Sequence, residues 1–336
     1  MDRIYSADPP GGQPPQRPVA LPRPWRESMR PWTYRPEPGL EDAVNVALLL
    51  GQPLLVTGEP GTGKTQLASH VAWRLGFGKP LVFQAKSTST ARDLFYEFDV
   101  LGRFQAAQTH VARNDVEYIH YNALGEAILL ANPAASVAHL FPPGFAHDGS
   151  PRRTVVLIDE VDKAPRDFPN DILSEVENMA FRIPELGSVV VKADPEMQPV
   201  LIMSSNSEKS LPDAFLRRCI YYNIPFPGRE KLLDIIQARI ADASAAPAGF
   251  LSDALDFFEL LRAPATNLRK KPATAELLSW LILLYGLIGN RREGLRRHPA
   301  ELRASISALV KSAEDQIAAE RVLTTWVEQG GGAGKR

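Results

Sequence analysis

The sequence predicts an α/β domain built on a parallel β-sheet with helices on both faces, followed by a smaller domain made only of helices. The first observation is that short apolar runs rich in Val, Ile and Leu alternate with helical stretches, an order typical of parallel sheets. The second is that no further strand-like run follows residue 229. The third is a glycine-rich segment between the first predicted strand and a helix, which is where phosphate-binding loops occur.

Five apolar runs have the length and composition of buried strands in a parallel sheet. They are Pro53–Thr57, Leu81–Lys86, Thr154–Asp159, Pro199–Ser205 and Cys219–Phe226. Helices are expected over Thr65–Leu75 and over Asp171–Ala180, where one face of the segment is apolar. We also expect a hairpin that pairs Phe181–Leu186 with Val189–Lys192.

The composition excludes several classes of protein. The chain has 336 residues, of which 44% are hydrophobic and 23% charged, enough for about two domains with buried cores. Its formal net charge is −1, so no overall field draws it to nucleic acid or to acidic lipid, and a nucleic-acid partner is not expected. No apolar run approaches the roughly 20 residues of a membrane span, and no secretory leader opens the chain. We therefore expect a cytoplasmic protein without a membrane span.

Cysteine and histidine usage also indicates a protein of a reducing compartment, without a disulfide framework or a structural metal site. Cys219 is the only cysteine, which excludes a disulfide framework and a cysteine-only metal site and suits a reducing compartment. Because Cys219 opens a predicted strand, we expect a buried structural thiol. The six histidines show no spacing of metal ligands, so the only metal expected is magnesium bound with a nucleotide.

Shifts in composition divide the chain into segments. Ten of the 29 prolines lie within residues 1–38, and each removes a backbone donor, which predicts an extended or disordered arm there. Alternatively, a strip of Trp25, Trp32 and Tyr34 interleaved with arginines could strap onto a domain or a partner. The remaining segments are a nucleotide-binding core at 39–228 with an insertion within about 87–150, a helical lid at 229–329 and a flexible tail at 330–336.

The strongest chemical motif is the sequence GEPGTGKT at residues 58–65, which satisfies the pattern GxxxxGK[ST] after a predicted strand. Its glycines allow backbone N–H groups to turn towards phosphates, and the start of the following helix adds partial positive charge. Lys64 is expected to reach the β- and γ-phosphates, and the Thr65 hydroxyl is expected to bind Mg²⁺. The predicted nucleotide-binding residues here are Gly58, Glu59, Pro60, Gly61, Thr62, Gly63, Lys64, Thr65 and Gln66.

Two carboxylates stand at the end of the third predicted strand. Asp159 can hold Mg²⁺, directly or through water, and is counted among the nucleotide-binding and metal residues. Glu160 can orient and polarise the attacking water, which makes it a candidate catalytic residue. An Asp-Glu pair after a strand is weak evidence alone, but together with the phosphate loop it favours a hydrolase over a small-molecule kinase.

Two further polar positions lie beside the last two predicted strands. Asn206 comes directly after Pro199–Ser205 and could hydrogen-bond the attacking water or the γ-phosphate; alternatively, it caps the next turn among neighbouring serines. Arg217 and Arg218 precede the last strand. Adjacent arginines are usually only surface charge, but at this offset they can be offered to the phosphate of a neighbouring subunit.

Together these motifs resemble those of an AAA+ ATPase. They are GEPGTGKT, VVLIDE, MSSN and FLRRC, followed by a helical domain. The run DEVDKAP at 159–165 is similar to the D-E-[IV]-[ND]-[RK]-A-P signature of the MoxR branch, and LPDAFLRR at 211–218 is similar to that branch's L-P-E-A-x-L-D-R segment. The resemblance covers about residues 40–330.

The resemblance implies a P-loop AAA+ core and a small helical lid, and a homo-oligomeric ring, usually a hexamer, with ATP and Mg²⁺ at each subunit interface. The preference for ATP over GTP rests on the family alone. Arg218 falls on the arginine finger of the family, with Arg217 as the alternative. MoxR relatives are chaperone-like motors that commonly work with a separate protein bearing a von Willebrand factor A domain. A protein client, and such a partner in trans, are therefore implied.

The lid departs from the family pattern at one position. Ala273 stands where MoxR relatives often carry an arginine that contacts phosphate, directly after Arg269-Lys270-Lys271-Pro272. Lys271 or Lys270 could substitute as a point charge, or the segment is simply a solvated basic turn.

The insertion contains three aromatic residues in one short run, Phe95, Tyr96 and Phe98. MoxR relatives carry an insertion in the matching neighbourhood, which suggests that these side chains line a pore or grip a client. The alternative is that they are ordinary core residues.

Two other functions remain open from the sequence. One is a McrB-like NTPase motor that acts with a nuclease on DNA, because the run SNSEKS at 205–210 is similar to that branch's N-T-A-D-R-S stretch. The other is a nucleotide-dependent assembly switch with little turnover. DNA-stimulated turnover would favour the first, and a Glu160→Gln variant with unchanged turnover would favour the second.

Overall fold

A computed structural model describes residues 30–109, 114–207, 211–240, 249–288 and 294–331. The chain divides into two compact units, one formed by residues 36–226 and the other by residues 30–35 together with 227–331. Most of the predicted arm, up to residue 29, and the end of the predicted tail, from residue 332, lie outside the described residues.

A five-stranded sheet forms the centre of the first unit. Its strands are β1 (Leu54–Thr57), β2 (Leu81–Gln84), β5 (Val155–Asp159), β8 (Val200–Ser204) and β9 (Ile220–Asn223). Their order is β2-β5-β8-β1-β9 and all neighbours are parallel. All five predicted strands form, each shorter than its apolar run and the last of them, Ile220–Asn223, only half as long, and the predicted parallel α/β fold is confirmed.

The strand register brings the predicted site to one edge of the sheet. Leu54 in β1 pairs with Ile202 in β8 and with Ile220 in β9, and Ile158 in β5 pairs with Met203 in β8. The carboxyl ends of these strands therefore lie side by side, which is where open α/β sheets bind ligands. The residues of β1 are completely buried, as are the first four of β5, because helices cover both faces of a parallel sheet.

The helices of the first unit connect the strands or pack on the sheet. They are α1 (Pro38–Leu50), α2 (Lys64–Leu75), α3 (Val100–Gln108), α4 (Ala123–Leu130), α5 (Ala134–Val137), α6 (Phe168–Asp171), α7 (Leu173–Asn178) and α8 (Asp213–Leu216). The helix predicted over Asp171–Ala180 is wrong at both ends. It begins at Leu173 and ends at Asn178, because Met179 adopts a left-handed conformation with φ 45° and Ala180 begins a strand.

The predicted hairpin forms with a shorter first strand. Ala180–Ile183 (β6) pairs antiparallel with Val189–Lys192 (β7). Residues Pro184–Leu186, predicted as strand, form a 3-10 turn instead. Pro184 has no N–H to donate to a strand ladder, which ends the first strand at Ile183.

The insertion contains its own small sheet, in which β3 (Tyr96–Phe98) pairs antiparallel with β4 (Ile119–Tyr121). Phe95 and Tyr96 are almost completely buried. The ring of Phe181 in β6 stacks on Phe95 with centroids 5.1 Å apart and meets Tyr96 at 6.1 Å. For these two side chains the structure favours the core interpretation over an exposed grip on a client.

The second unit contains helices and no strand among its described residues. Its helices are α9 (Arg229–Arg239), α10 (Phe250–Arg262), α11 (Thr274–Ile288), α12 (Pro299–Ser305) and α13 (Ala313–Gly331). Phe257 forms the centre of its aromatic core, with ring centroids 5.7 Å from Trp280 and 5.3 Å from Trp326. Within the part of the chain that the structure describes, no helix is both long and apolar enough to cross a bilayer.

The ends of the predicted arm and tail need correction. Pro31–Thr33 forms a 3-10 turn that contacts α9, and Tyr34 is buried, whereas Trp32 is half exposed. Burial of Tyr34 agrees with the strap interpretation at this one residue, and Trp25 lies outside the described residues. Helix α1 begins at Pro38, inside the predicted arm, because a proline fits the first helical turn, where its missing N–H costs nothing. Helix α13 runs to Gly331, two residues into the predicted tail.

Candidate functional site

The loop at residues 58–63 can form only with glycine at particular positions. Gly58 has φ 142°, and a Cβ atom there would lie 2.6 Å from the carbonyl oxygen of Ile224, closer than any real contact. Gly61 and Gly63 also have positive φ, at 80° and 93°. Gly63 is the residue that caps α2, so the backbone N–H groups of the first helical turn face the loop.

Lys64 points back into this loop and is almost completely buried. Its Nζ donates hydrogen bonds to the carbonyl oxygens of Gly58 at 2.7 Å and Glu59 at 3.1 Å. Burial lowers the pKa of Lys64, partly offset by the nearby carboxylates of Asp159 and other acidic residues. The loop therefore encloses a poorly hydrated cation, which interacts more strongly with phosphate than a solvated one does.

Thr65 and Asp159 meet at the edge of the sheet, as the sequence predicts. The Thr65 hydroxyl donates to Asp159 Oδ2 at 2.9 Å. A hydroxyl and a carboxylate oxygen at this separation are hard ligands of the kind that Mg²⁺ takes beside nucleotide phosphates. The donor set therefore fits the metal that the sequence predicts.

Ser204 holds the other side of the Asp159 carboxylate, which sequence reasoning missed. The Ser204 hydroxyl donates to Asp159 Oδ1 and accepts a hydrogen bond from the backbone N–H of Glu160 at 2.9 Å. Ser204 is the last residue of β8 and is completely buried. The sequence does carry a signal, because the expected sheet places the end of this strand beside Asp159, but the bonding direction of one serine hydroxyl leaves no pattern in the sequence.

Glu160 stands in an unusual backbone conformation beside two polar partners. Its φ of 57° and ψ of 47° are left-handed, which costs a non-glycine residue about 1–3 kcal/mol and is typical of functional sites. Its carboxylate accepts hydrogen bonds from Lys163 Nζ at 2.6 Å and from Gln84 Nε2 at 3.2 Å. The bond from Lys163 is the main cause that lowers the pKa of Glu160. Neither Lys163 nor Gln84 was singled out from the sequence.

Asn206 lies at the same edge, on the turn that follows β8. Since β8 lies between β5 and β1, Asn206 lies between the Asp159 strand and the phosphate loop. Its backbone N–H donates to Asp162 Oδ1 at 3.1 Å, which ties this turn to the one after Glu160. The half-buried position suits a side chain that contacts a bound group, and the catalytic role of Asn206 stays a prediction.

Arg217 and Arg218 lie at the amino ends of the strands, opposite the carboxyl ends where the phosphate loop and Asp159 lie. They precede β9, whose first residue Ile220 pairs with Leu54 at the start of β1, whereas the phosphate loop follows the end of β1. With a rise of about 3.3 Å per residue, the two edges are roughly 10 Å apart along the strand. Both arginines are exposed. Arg218 pairs with Glu177 and donates to the carbonyl oxygen of Ala214 at 3.2 Å.

Cys219 is partly buried next to these arginines and comes directly before β9, not inside it. Its Sγ lies 3.3 Å from the carbonyl oxygen of Phe215, to which the thiol donates. Burial raises the pKa of Cys219 to about 12, so the thiol stays protonated and a structural role fits better than a nucleophilic one.

Lys271 belongs to the helical unit, in the connection between α10 and α11. Its side chain is exposed. The turn that carries it is fixed by Asp315, whose carboxylate accepts hydrogen bonds from the backbone N–H groups of Arg269 at 2.8 Å and Lys270 at 3.2 Å. A phosphate contact by Lys271 remains a prediction, as does the alternative of a solvated basic turn.

Comparison with known proteins matches this site to one family. Residues 53–219 match the AAA domain of the dynein-related subfamily, and that range includes the loop at 58–63 and Arg218. CD-NTase-associated protein 6 of Pseudomonas aeruginosa is 28% identical over 188 residues, which cover 54% of this chain and 51% of that protein. The chain thus spans about half the length of the curated relative that it matches.

A solved structure aligns over a longer range. Cdc6p of Pyrobaculum aerophilum covers 89% of this chain and 82% of its own, with 13% identity and a TM-score of 0.46. The family match at residues 53–219 contains four of the five strands of the sheet and the polar residues at the strand ends.

Proposed function

We propose that this chain, whose residues 53–219 are an AAA domain, hydrolyses ATP in a Mg²⁺-dependent manner as part of a homo-oligomeric ring that remodels or activates a protein client. The observation that carries the proposal is the cluster at one edge of the sheet. There Thr65 Oγ1 lies 2.9 Å from Asp159 Oδ2, with Lys64 in the adjacent loop and Glu160 next along the chain.

Nucleotide binding would use the loop and the start of α2. Backbone N–H groups of the loop and of the first turn of α2 would bind phosphate oxygens, and Lys64 Nζ would exchange its carbonyl partners for them. Thr65 and Asp159 would hold Mg²⁺, which neutralises charge on the β- and γ-phosphate oxygens when bound.

Hydrolysis requires a group that orients and deprotonates water. Glu160 would accept the proton from the attacking water at one of its carboxylate oxygens, and Asn206 would hydrogen-bond the same water or the γ-phosphate. Lys163 Nζ and Gln84 Nε2 both donate to Glu160 Oε2, which lowers the pKa of the carboxylate. The proton would therefore go to Oε1.

A second copy of the chain would complete the site by supplying an arginine. Arg218 lies at the ends of the strands opposite its own phosphate loop, a position that supports a role as an arginine finger for a neighbouring subunit. In doing so it would exchange Glu177 for the γ-phosphate. Arg217 is the alternative finger, and Lys271 is the candidate phosphate contact from the helical unit. A closed ring, with six copies as the family norm, supplies one such arginine to every site.

The resemblance to the MoxR branch supports a protein client over other substrates. The run at 159–165 keeps the signature of that branch, and the relative from Pseudomonas aeruginosa is named for its association with another protein, a CD-NTase. We extend to this chain only the expectation of a protein partner in trans, and a von Willebrand factor A domain protein is the first kind to test.

The decisive experiment is phosphate release from ATP measured against protein concentration. We expect activity per subunit to rise as rings assemble, and Arg218→Ala to abolish turnover while nucleotide binding is kept. Arginine fingers are worth about 10³–10⁵ in rate in other NTPases. Arg217→Ala tests the alternative finger. Arg152→Ala, an exposed arginine paired with Asp148 away from the site edge, is the matched control and should leave turnover unchanged.

Three results would contradict the proposal. Turnover that is independent of concentration and of both arginines would exclude a ring with a finger in trans. Turnover unchanged by Glu160→Gln would favour an assembly switch. Turnover stimulated by duplex DNA, and not by a protein partner, would favour the nuclease-coupled alternative.

A further inference from the structure

We infer that Ser204 is a positioning residue that fixes both Asp159 and Glu160 in the geometry required for magnesium-dependent nucleotide binding. The inference deepens the proposed function and rests on it, because it concerns the same site. Ser204 does not face the phosphate loop directly. Its effect passes through the two acidic residues that it holds.

The hydroxyl of Ser204 connects the two acidic residues in one directed chain of hydrogen bonds. The backbone N–H of Glu160 donates to Ser204 Oγ at 2.9 Å, and the same hydroxyl donates its single proton to Asp159 Oδ1. Asp159 Oδ2 is then left to face Thr65 Oγ1 at 2.9 Å. Each oxygen of the carboxylate therefore has a defined partner, and the rotation of Asp159 is fixed.

The backbone conformation of Glu160 is a second reason to assign a positioning role to Ser204. Its left-handed conformation is strained for a non-glycine residue and persists only where the surroundings impose it. The hydrogen bond from Glu160 N–H to the buried Ser204 hydroxyl is one of the contacts that hold this backbone, together with the bond from Lys163 N–H to the Glu160 carbonyl oxygen at 2.9 Å. Without the Ser204 hydroxyl, the Glu160 N–H loses its partner, and the backbone can relax towards a common conformation that turns the Glu160 side chain away from the phosphate loop.

The position of Ser204 in the sheet makes the arrangement rigid. Ser204 ends the central strand β8, and the pair Ile158–Met203 places it directly beside Asp159 on β5. Its side chain is completely buried, so water cannot substitute for the hydroxyl. Groups that orient metal ligands in this way typically change metal affinity or activity by 10- to 100-fold when they are removed.

The next residue offers a matched control. Ser205 is buried to the same degree, but its hydroxyl donates to the carbonyl oxygen of Ser207 at 2.6 Å and accepts from the Ser207 N–H at 3.2 Å. Ser205→Ala thus removes an identical buried hydroxyl, one position along the chain, whose bonds stay within its own turn. Any general effect of deleting a buried serine hydroxyl is common to both variants.

The test is a magnesium titration of nucleotide binding, followed by the fluorescence of a labelled ATP analogue on the full-length chain. For Ser204→Ala we expect nucleotide affinity in EDTA within about twofold of wild type, and a magnesium half-saturation point raised roughly 10- to 100-fold. Ser204→Thr, which keeps the hydroxyl, should recover most of the loss. Ser205→Ala should keep the wild-type half-saturation point.

A second variant covers the case in which Ser204→Ala does not fold. Ser204→Cys keeps nearly the same volume but donates a much weaker hydrogen bond, so it should show the same weakened magnesium response in a folded chain. A folded Ser204→Ala or Ser204→Cys protein with the wild-type magnesium response would overturn the inference.

The binding measurement also separates this inference from the proposed function. If the wild type binds the analogue more tightly with Mg²⁺ but releases no phosphate from ATP, hydrolysis is excluded, and the Ser204 variants still decide the positioning role. If Mg²⁺ leaves wild-type binding unchanged, then Asp159 holds no metal and the positioning role of Ser204 is excluded.

Discussion

At the scale of single residues, backbone conformation decides which atoms the site can present. Glu160 is left-handed, and its side chain reaches Gln84 on the neighbouring strand because of that turn. Gly58 permits the phosphate loop to pass against the carbonyl of Ile224, a place that no side chain can share. The arrangement of the candidate nucleotide site therefore depends on a few positions where the backbone departs from regular strand or helix geometry.

Cys219 gives a test of burial at one residue. Burial raises its pKa to about 12, against about 8.5 for a free thiol, so at pH 8 its thiolate fraction should be lower by on the order of a thousandfold. We expect alkylation by iodoacetamide to be slow in the folded protein and to keep accelerating with pH up to about 12. As the only cysteine, it gives the whole signal.

The reference for this measurement is the same protein in concentrated guanidinium, where alkylation should be fast and level off near pH 9. A folded-state rate that levels off at that same pH would mean that Cys219 is solvated, and the structural role assigned to it would be wrong.

Gly125 gives a test of close packing. A Cβ atom added there would lie 2.0 Å from the backbone carbonyl oxygen of Phe95, which belongs to a fixed part of the insertion. We expect Gly125→Ala to lower the free energy of unfolding by about 2 kcal/mol or more, measured by urea denaturation. Gly228→Ala is the control, because its added Cβ meets nothing within 4 Å. It should change stability by less than about 1 kcal/mol.

At the scale of elements, polar contacts to Glu185 join the insertion to the segment that connects β6 and β7, beside their shared aromatic core. Tyr96 OH in β3 donates to Glu185 Oε2 at 2.8 Å, and Arg92 pairs with Glu185 at 3.4 Å. Burial, and then the bond to Glu185, raise the pKa of Tyr96, so the phenol stays protonated and remains a donor. The two elements should therefore move together.

A double-mutant cycle measures this connection. We expect Tyr96→Phe and Glu185→Ala to couple by about 1–2 kcal/mol in the free energy of unfolding, since the hydrogen bond joins a buried donor to a charged acceptor. Tyr121→Phe is the matched control, because the Tyr121 hydroxyl donates to the carbonyl oxygen of Leu140 and not to Glu185. The control cycle combines Tyr121→Phe with Glu185→Ala. Equal coupling energies in the two cycles would mean that the Tyr96–Glu185 hydrogen bond does not join the elements.

At the scale of the whole molecule, the two edges of the sheet separate the parts of the proposed active site. The loop, Asp159 and Glu160 lie at the carboxyl edge, whereas Arg218 lies at the amino edge. A site that needs both edges needs two copies of the chain.

Mixing two inactive variants tests this arrangement. Glu160→Gln keeps a working Arg218, and Arg218→Ala keeps a working Glu160, so mixed rings should contain some complete sites. We expect turnover of the mixture to exceed that of either variant alone by at least about tenfold, given the size of arginine-finger effects elsewhere. A mixture no more active than its components, in rings shown to exchange subunits, would place the finger in cis or exclude it.

The sequence by itself determined the fold class and most of the carboxyl-edge site. Apolar runs long enough for one buried strand predict the five-stranded sheet because a parallel sheet hides both faces, and the GEPGTGKT pattern predicts the loop because its glycines are required by backbone geometry. Thr65 and Asp159 meet as predicted, since strand ends converge at one edge.

Only the tertiary structure decided which neighbours orient those residues. The residues that do so are Ser204, Gln84 and Lys163, which act through individual hydrogen bonds. The direction of these bonds depends on how the strands pack and on the left-handed turn at Glu160. No periodic pattern in the sequence reports such contacts. The early end of the predicted helix, at a left-handed Met179, is also a local backbone feature that the apolar pattern does not report. Burial patterns repeat along a sequence and can be detected, whereas a side-chain contact across strands is fixed only when the strands pack.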